Sequence, residues 1–323
     1  NMDALMEKFK TSRLNKKLNG VINSIFSDAI LLEKMRPENY NPATLDRDRK
    51  QALATYLSTS HKWSSLYTTI IPYSADMLMS ADEYRLNIHY DLHIPVKNGV
   101  LAENLGLKCN NGCHRNTKID KYGMHIMGCH HTAYHNAGRD ELVRALSQAG
   151  CGVISEPVGV LNQPGQRPDL LISNLSRSGK AIIVDFTTVS VTTQSRLDNS
   201  CQIPGYSAEQ AEQKKIADYE GKYDPGKFEF IALALELNGR PSKSLEKFMR
   251  RVGQKAAEQN RTQDPGEPRQ YAKQFTYKWT MRLITAVRKA MARRANNHLF
   301  RLLRDKQNNH LNLTNDEIYN HEY

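Results

Sequence analysis

The sequence predicts an α/β protein: a helical N-terminal region, a small Cys/His lobe, a sheet-containing core flanked by helices, and a basic C-terminal helix. Three observations predict it. Strand-sized apolar runs (Val153–Glu156, Asp169–Ser173, Ala181–Val189, Phe228–Leu237) alternate with helix-periodic stretches. Between residues 99 and 132 the composition turns to Cys, His, Gly and Asn, too polar for an ordinary core. After residue 269 an apolar stripe recurs every four residues among many cations. With 323 residues and 39% hydrophobic content, the chain is long enough for about two domains with a substantial core.

In chain order, residues 1–98 read as mainly helical. Leu14, Leu18, Val21, Ile22, Ile25 and Phe26 form an apolar stripe opposite Lys8, Lys10, Arg13, Lys16 and Lys17. A loop at Arg36–Pro42 precedes a helix around Ala43–Ser58, while Trp63–Val96 gives no clear assignment. Residues 99–132 form the Cys/His lobe. The core, 133–259, opens with a helix over 133–149 that Gly150 stops. The first three strands follow, with turns at Gln163–Gln166 and Asn174–Gly179; then a helix over Ala208–Tyr219, the fourth strand, and a helix over Ser242–Glu258. The polar, Pro/Gly-rich Asn260–Arg269 reads as a linker, and 260–323 as that linker plus the basic helix.

Charge narrows the partner. The chain has 45 Lys+Arg against 34 Asp+Glu, a net charge of +11, and the segment from Arg269 to Lys306 alone has eleven cations and one acid, Asp305. A concentrated basic stripe points to a polyanion, nucleic acid before membrane. No apolar run approaches the roughly 18 residues of a spanning helix, so no membrane partner is expected. Asn1-Met2-Asp3 starts no secretory leader, and five cysteines make a low, odd count. Both lead to the expectation of a reducing, intracellular setting.

The lobe carries Cys109-x3-Cys113 and His125-x3-Cys129. Thiolates and an imidazole at short paired spacing are what tetrahedral zinc takes, each pair closing a small chelate loop. Four protein ligands leave no open position, so the zinc would be structural. His114, His130, His131 and His135 lie close enough in sequence to exchange with His125. Cys151 and Cys201 are lone residues that read as small packed hydrophobes.

The sharper chemical signal is acidic. Glu156, Asp169 (Arg167-Pro168-Asp169) and Asp185 each stand at the edge of a strand-like run. Hairpin geometry would set Asp169 beside Asp185 on neighbouring strands, where two carboxylates repel unless a divalent cation lies between them. Mg²⁺ (or Mn²⁺) binds through one or two carboxylates plus phosphate oxygens, the arrangement that phosphodiester cleavage uses. A nearby ammonium would offset transition-state charge, and Lys214 and Lys215 on the next helix are the candidates. Taken singly, Asp169 could cap a turn, the two lysines could form a solvated helix face, and His135-Asn136 could be an N-cap.

The order of these motifs is Cys-x3-Cys and His-x3-Cys, then His135-Asn136 with Arg139, Glu156-Pro157, Arg167-Pro168-Asp169, Asp185, and Lys215-x3-Tyr219. In that order, over roughly residues 60–255, the chain resembles the restriction-like endonuclease found at the C-terminus of site-specific non-LTR retrotransposon proteins, part of the PD-(D/E)xK nuclease superfamily. The resemblance implies a restriction-endonuclease-like core, a mixed central sheet flanked by helices. It also implies metal-binding acids at Asp169 and Asp185, a catalytic lysine at Lys215, Glu156 as an accessory carboxylate, and a nuclear DNA endonuclease. The chain departs from the simplest superfamily pattern, in which a lysine lies two residues after the second acid: Thr187 stands there.

On the basic helix, Phe275, Trp279, Leu283, Val287 and Met291 read as packing, and Arg282, Lys289, Arg293 and Arg294 as flanking cations able to track phosphates. Arg139 and Arg167 join them as expected DNA contacts. Three functions share these features: a Mg²⁺-dependent DNA endonuclease, a zinc-containing DNA-binding module without turnover, and an RNA-binding factor. Oligomeric state, target and strand specificity carry no signature.

Overall fold

The computed structural model describes residues 44–69, 74–95, 100–109, 117–129, 132–163, 165–260 and 268–319. The helix expected in the first residues, the Arg36–Pro42 loop, Cys113, His114, His130, His131 and most of the expected linker lie outside the described residues.

The architecture is mixed α/β: a four-stranded mixed sheet flanked by helices. Strands β1 (Gly152–Ser155), β2 (Leu170–Ser173), β3 (Ala181–Val189) and β4 (Phe228–Glu236) lie in that order, antiparallel at the first two junctions and parallel at the third. Asn174 (φ 64°) and Gly179 (φ 78°) turn the chain between β2 and β3 in the left-handed region that Asn and Gly tolerate. The parallel β3–β4 pair needs a crossover, and helices α7 (Leu197–Ser200) and α8 (Tyr206–Tyr219) supply it.

Strand periodicity sorts the side chains of β3. Ile182, Val184 and Phe186 enter the main core, together with Leu170, Ile172, Leu233 and Leu235. Ile183 faces the other way, clustered with Leu161 and Tyr219, and Val189 packs with Ala208 and Ala211 of α8. Asp185 has the parity of Ile183, so the alternation that buries the core turns this acid toward α8.

The N-terminal helices are α1 (Arg47–Thr59), capped by Asp46, α2 (Leu66–Thr69) and α3 (Ala81–Leu92). Helix α3 fills the stretch that sequence reasoning left unassigned. Its signal was present: Ser80 and Glu83 form a capping box, each side chain bonding the other's backbone N–H. Short helices α4 (Val100–Glu103) and α5 (Met124–Gly128) frame the Cys/His lobe.

Helices α6 (Thr132–Gln148) and α9 (Lys243–Asn260) pack on the main face of the sheet, and the long α10 (Pro268–Tyr319) packs against both of them. The stripe Phe275, Trp279, Leu283, Val287 and Met291 is buried, and one hydrophobic cluster runs from Trp63 to Leu302. The stripe read as packing is thus buried, and the C-terminal helix is built into the core.

Candidate active site and metal centre

The β2–β3 register sets Leu170 opposite Val184, with Asp169 and Asp185 each the next residue beyond that pair. The Phe186 N–H donates to Asp169 Oδ2 (2.7 Å), tying the loop before β2 to the middle of β3. Lys215 Nζ donates to Asp185 Oδ2 at 3.0 Å, and Tyr219, one turn along α8, also hydrogen-bonds Asp185. Asp169, Asp185 and Lys215 are thus brought together; the neighbouring Lys214 is exposed. The helix face explains the choice, because Lys215 shares it with the buried Ala211 and Tyr219.

Helix α6 adds a group to which sequence reasoning gave no role at the acids. His135 Nε2 lies 3.0 Å from Asp169 Oδ1, its ring 5.8 Å from that of Phe186. The signal was the i, i+4 spacing of His135 and Arg139, which aims both at the same sheet edge. Arg139 pairs with Glu156 and Asp140. Glu156 was expected as an accessory carboxylate of the pocket. It adopts φ 47° just past β1, its backbone N–H meets Asp169 O at 2.9 Å, and its half-exposed carboxylate is held by Arg139.

The electrostatics of the two aspartates diverge. Burial works to raise the Asp169 carboxyl, but the hydrogen bond and positive charge of His135, with the Phe186 amide, hold it below the ordinary value. Burial pushes the Asp185 carboxyl up; Lys215 opposes this and the charge of Asp169 adds to it. Burial, then Asp185, likewise raises the Tyr219 hydroxyl. Two adjacent carboxylates, one held back from ionising chiefly by burial and further by its neighbour's charge, form a donor set that suits a hard divalent cation.

The expected phosphate contacts separate into two groups. Arg167, two residues before Asp169, is exposed, with no side-chain partner among the described residues. The four α10 cations expected to meet phosphate each have a partner within the protein. Arg282, 11% exposed, spans Glu141 (2.8 Å) and Asp76 (2.5 Å), with its guanidinium also over the Trp279 ring. Lys289 Nζ donates to Asp76 O (2.8 Å), Arg293 pairs with Glu83 (2.9 Å), and Arg294 donates to Cys129 O (3.1 Å). Arg282, expected as a phosphate contact, serves here as an interior clamp, because acids from distant segments pack against this face of α10.

In the Cys/His lobe, Cys109 N bonds Thr117 O (2.9 Å) and Ile119 N bonds Leu107 O (2.9 Å), a short antiparallel ladder. Asp120 accepts from the backbone of Tyr122, Met124 and His125, fixing the start of α5. Cys109, His125 and Cys129 converge, their ligand atoms within 4.8 Å of one another, and both cysteines are buried. This group can hold a metal ion. The sulfurs are 3.8 Å apart. Two thiolates about 2.3 Å from one tetrahedral ion would stand about 3.8 Å from each other, so the spacing fits zinc.

A scan against protein-family models gives no match for this chain, and a search of the curated proteins gives none either.

Proposed function

We propose that the chain is a Mg²⁺-dependent endonuclease that hydrolyses phosphodiester bonds in DNA, with a restriction-endonuclease-like core, a PD-(D/E)xK-type site and a structural zinc in the Cys109–His125–Cys129 lobe. The convergence of Asp169, Asp185 and Lys215 at one sheet edge carries this reading. The net charge of +11 supports a polyanionic substrate, and the motif order supports a mobile-element origin and a nuclear setting.

Asp169 and Asp185 would hold the cation, which when bound supplies Lewis-acid polarisation of a phosphoryl oxygen and an acidified water. The protein's own groups do the positioning. His135 and the Phe186 amide fix the Asp169 carboxylate from opposite oxygens. Tyr219 fixes Asp185. The Lys215 ammonium, already at Asp185, stands where it can offset the negative charge that grows on the phosphorus oxygens. Arg167, exposed beside Asp169, is available to a substrate phosphate.

The test incubates the full chain with plasmid and branched DNA in Mg²⁺ or Mn²⁺. Cleavage is expected, with losses of at least roughly 100-fold in Asp169→Asn, Asp185→Asn and Lys215→Ala and little change in Lys214→Ala. Wild-type cleavage in Asp185→Asn would overturn the site. Salt-sensitive DNA binding without cleavage in either ion would favour a binding module, and stronger binding of RNA in competition an RNA-binding factor.

A further inference from the structure

We infer that helix α10 holds the metal centre from outside, with His298 as a positioning residue whose Nε2–H donates to the Cys109 thiolate. His298 Nε2 lies 3.5 Å from Cys109 Sγ, across 189 residues of sequence, and His298 is 2% exposed. One turn earlier on the same face, Arg294 Nη1 donates to the Cys129 carbonyl at 3.1 Å. One residue later, Asn104 Nδ2 from the lobe donates to Leu299 O at 3.3 Å. Three consecutive attachments thus join one stretch of α10 to the lobe, and two of them end on metal cysteines.

The chemistry follows from charge. A metal-bound thiolate keeps much of its negative charge, and in a buried site it needs N–H donors in place of water. An imidazole N–H supplies one and also fixes the direction of the sulfur lone pairs. A buried imidazole in turn needs a partner, and the sulfur provides it. His298 touches the group through Cys109, beyond the three residues whose ligand atoms are mutually close, which suits an outer donor. The consequence is linkage: metal binding and the order of the C-terminal part of α10 support each other.

This inference rests on the metal reading of the lobe, and one experiment separates the two. The full chain is loaded with Co²⁺ in place of zinc and titrated with a competing chelator. His298→Ala is expected to bind cobalt about 10–100-fold more weakly with its d–d bands in place, and His298→Gln, which keeps an N–H donor, to recover most of the affinity. Val287→Ala, buried on the same helix and remote from the sulfurs, controls for packing: it lowers the thermal midpoint and leaves cobalt affinity within about twofold. Unchanged affinity in His298→Ala would overturn the inference alone. So would a d–d shift marking a lost nitrogen ligand, since His298 would then be a ligand itself. Absence of thiolate-to-cobalt charge transfer in the wild-type chain would overturn the metal reading.

Discussion

Replacing Arg288 with methionine tests whether the basic C-terminal helix is structural. Arg288 is fully buried. Its guanidinium lies 2.7 Å from Asp91 Oδ2, donates to Leu237 O (2.7 Å) and Asn87 O (3.1 Å), and sits over the Tyr67 ring. Asp91 also accepts from Tyr67 Oη (2.5 Å) and Asn238 Nδ2 (3.0 Å), and burial pushes its carboxyl up despite Arg288. Methionine keeps the aliphatic stem but strands a buried carboxylate and two carbonyls. Removing one partner of such a pair costs about 3–5 kcal/mol. At roughly 1.5 °C per kcal/mol for a chain of this length unfolding as one unit, the thermal midpoint falls by roughly 5–8 °C. Urea unfolding of Arg288→Met, Asp91→Asn and the double variant measures the coupling. The double variant should lose less than the sum of the singles by at least about 2 kcal/mol. Additivity within about 0.5 kcal/mol, or a loss below about 1 kcal/mol in Arg288→Met, would refute the reasoning.

Three further outcomes are expected. His93, in the left-handed region at φ 50°, stacks on Tyr122 with ring centroids 3.8 Å apart, and neither ring nitrogen has a hydrogen-bond partner among the described residues. Burial lowers its pKa from 6.5 to about 4, so its contribution is complete above pH 6.5 and is lost as the pH falls through 4, about 3 kcal/mol in all. His93→Asn, which tolerates that φ, should flatten the urea midpoint across this window; an unchanged slope would remove His93 as the cause. At Gly138 on α6, an added Cβ would meet Phe186 Cε1 at 2.5 Å and Val287 Cγ2 at 3.0 Å. Gly138→Ala should therefore cost about 1–3 kcal/mol by overpacking, less the roughly 1 kcal/mol of helix propensity gained, and should impair cleavage through His135; a variant more stable than wild type would count against the close approach. In DNA binding, Arg167→Ala should reduce the slope of log K against log salt by about one, whereas Arg282→Ala should lower stability and leave the slope alone; a reversed pattern would return Arg282 to the phosphate surface.

Much of the fold was legible because local pattern and tertiary role agree. β3 is a β-branched run that the core buries on both faces, so its limits Ala181–Val189 could be read directly. The same period-2 alternation made the Asp169–Asp185 juxtaposition readable, since two strands joined by a short turn have few registers open to them. Lys215 was legible only through motif order. What separates it from Lys214 is which side of α8 faces Asp185, and that depends on how the helix packs on the sheet. Trp63–Val96 failed for a different reason: α3 has a weak apolar stripe, and its start is marked by a capping box whose two members lie three residues apart.

The charge count says least about where each cation points, and the reason is physical. Counting eleven cations after residue 268 treats each as solvated, yet a cation's environment is fixed by acids that topology brings from elsewhere. Asp76, Glu83, Asp91 and Glu141 lie 141–210 residues away from the arginines that meet them on α10, a distance over which sequence pattern carries no signal. Neutralising these pairs internally leaves the overall charge at +11, so the electrostatic attraction for a polyanion survives while its location changes. The cations free to grip phosphate are those without internal acids, and Arg167, exposed two residues from Asp169, is the one the sheet edge places beside the candidate chemistry. Part of this helix's charge is thus accounted for by what it holds inside: the Arg288–Asp91 pair at its middle and, through Arg294 and His298, the lobe's Cys129 and Cys109 further along.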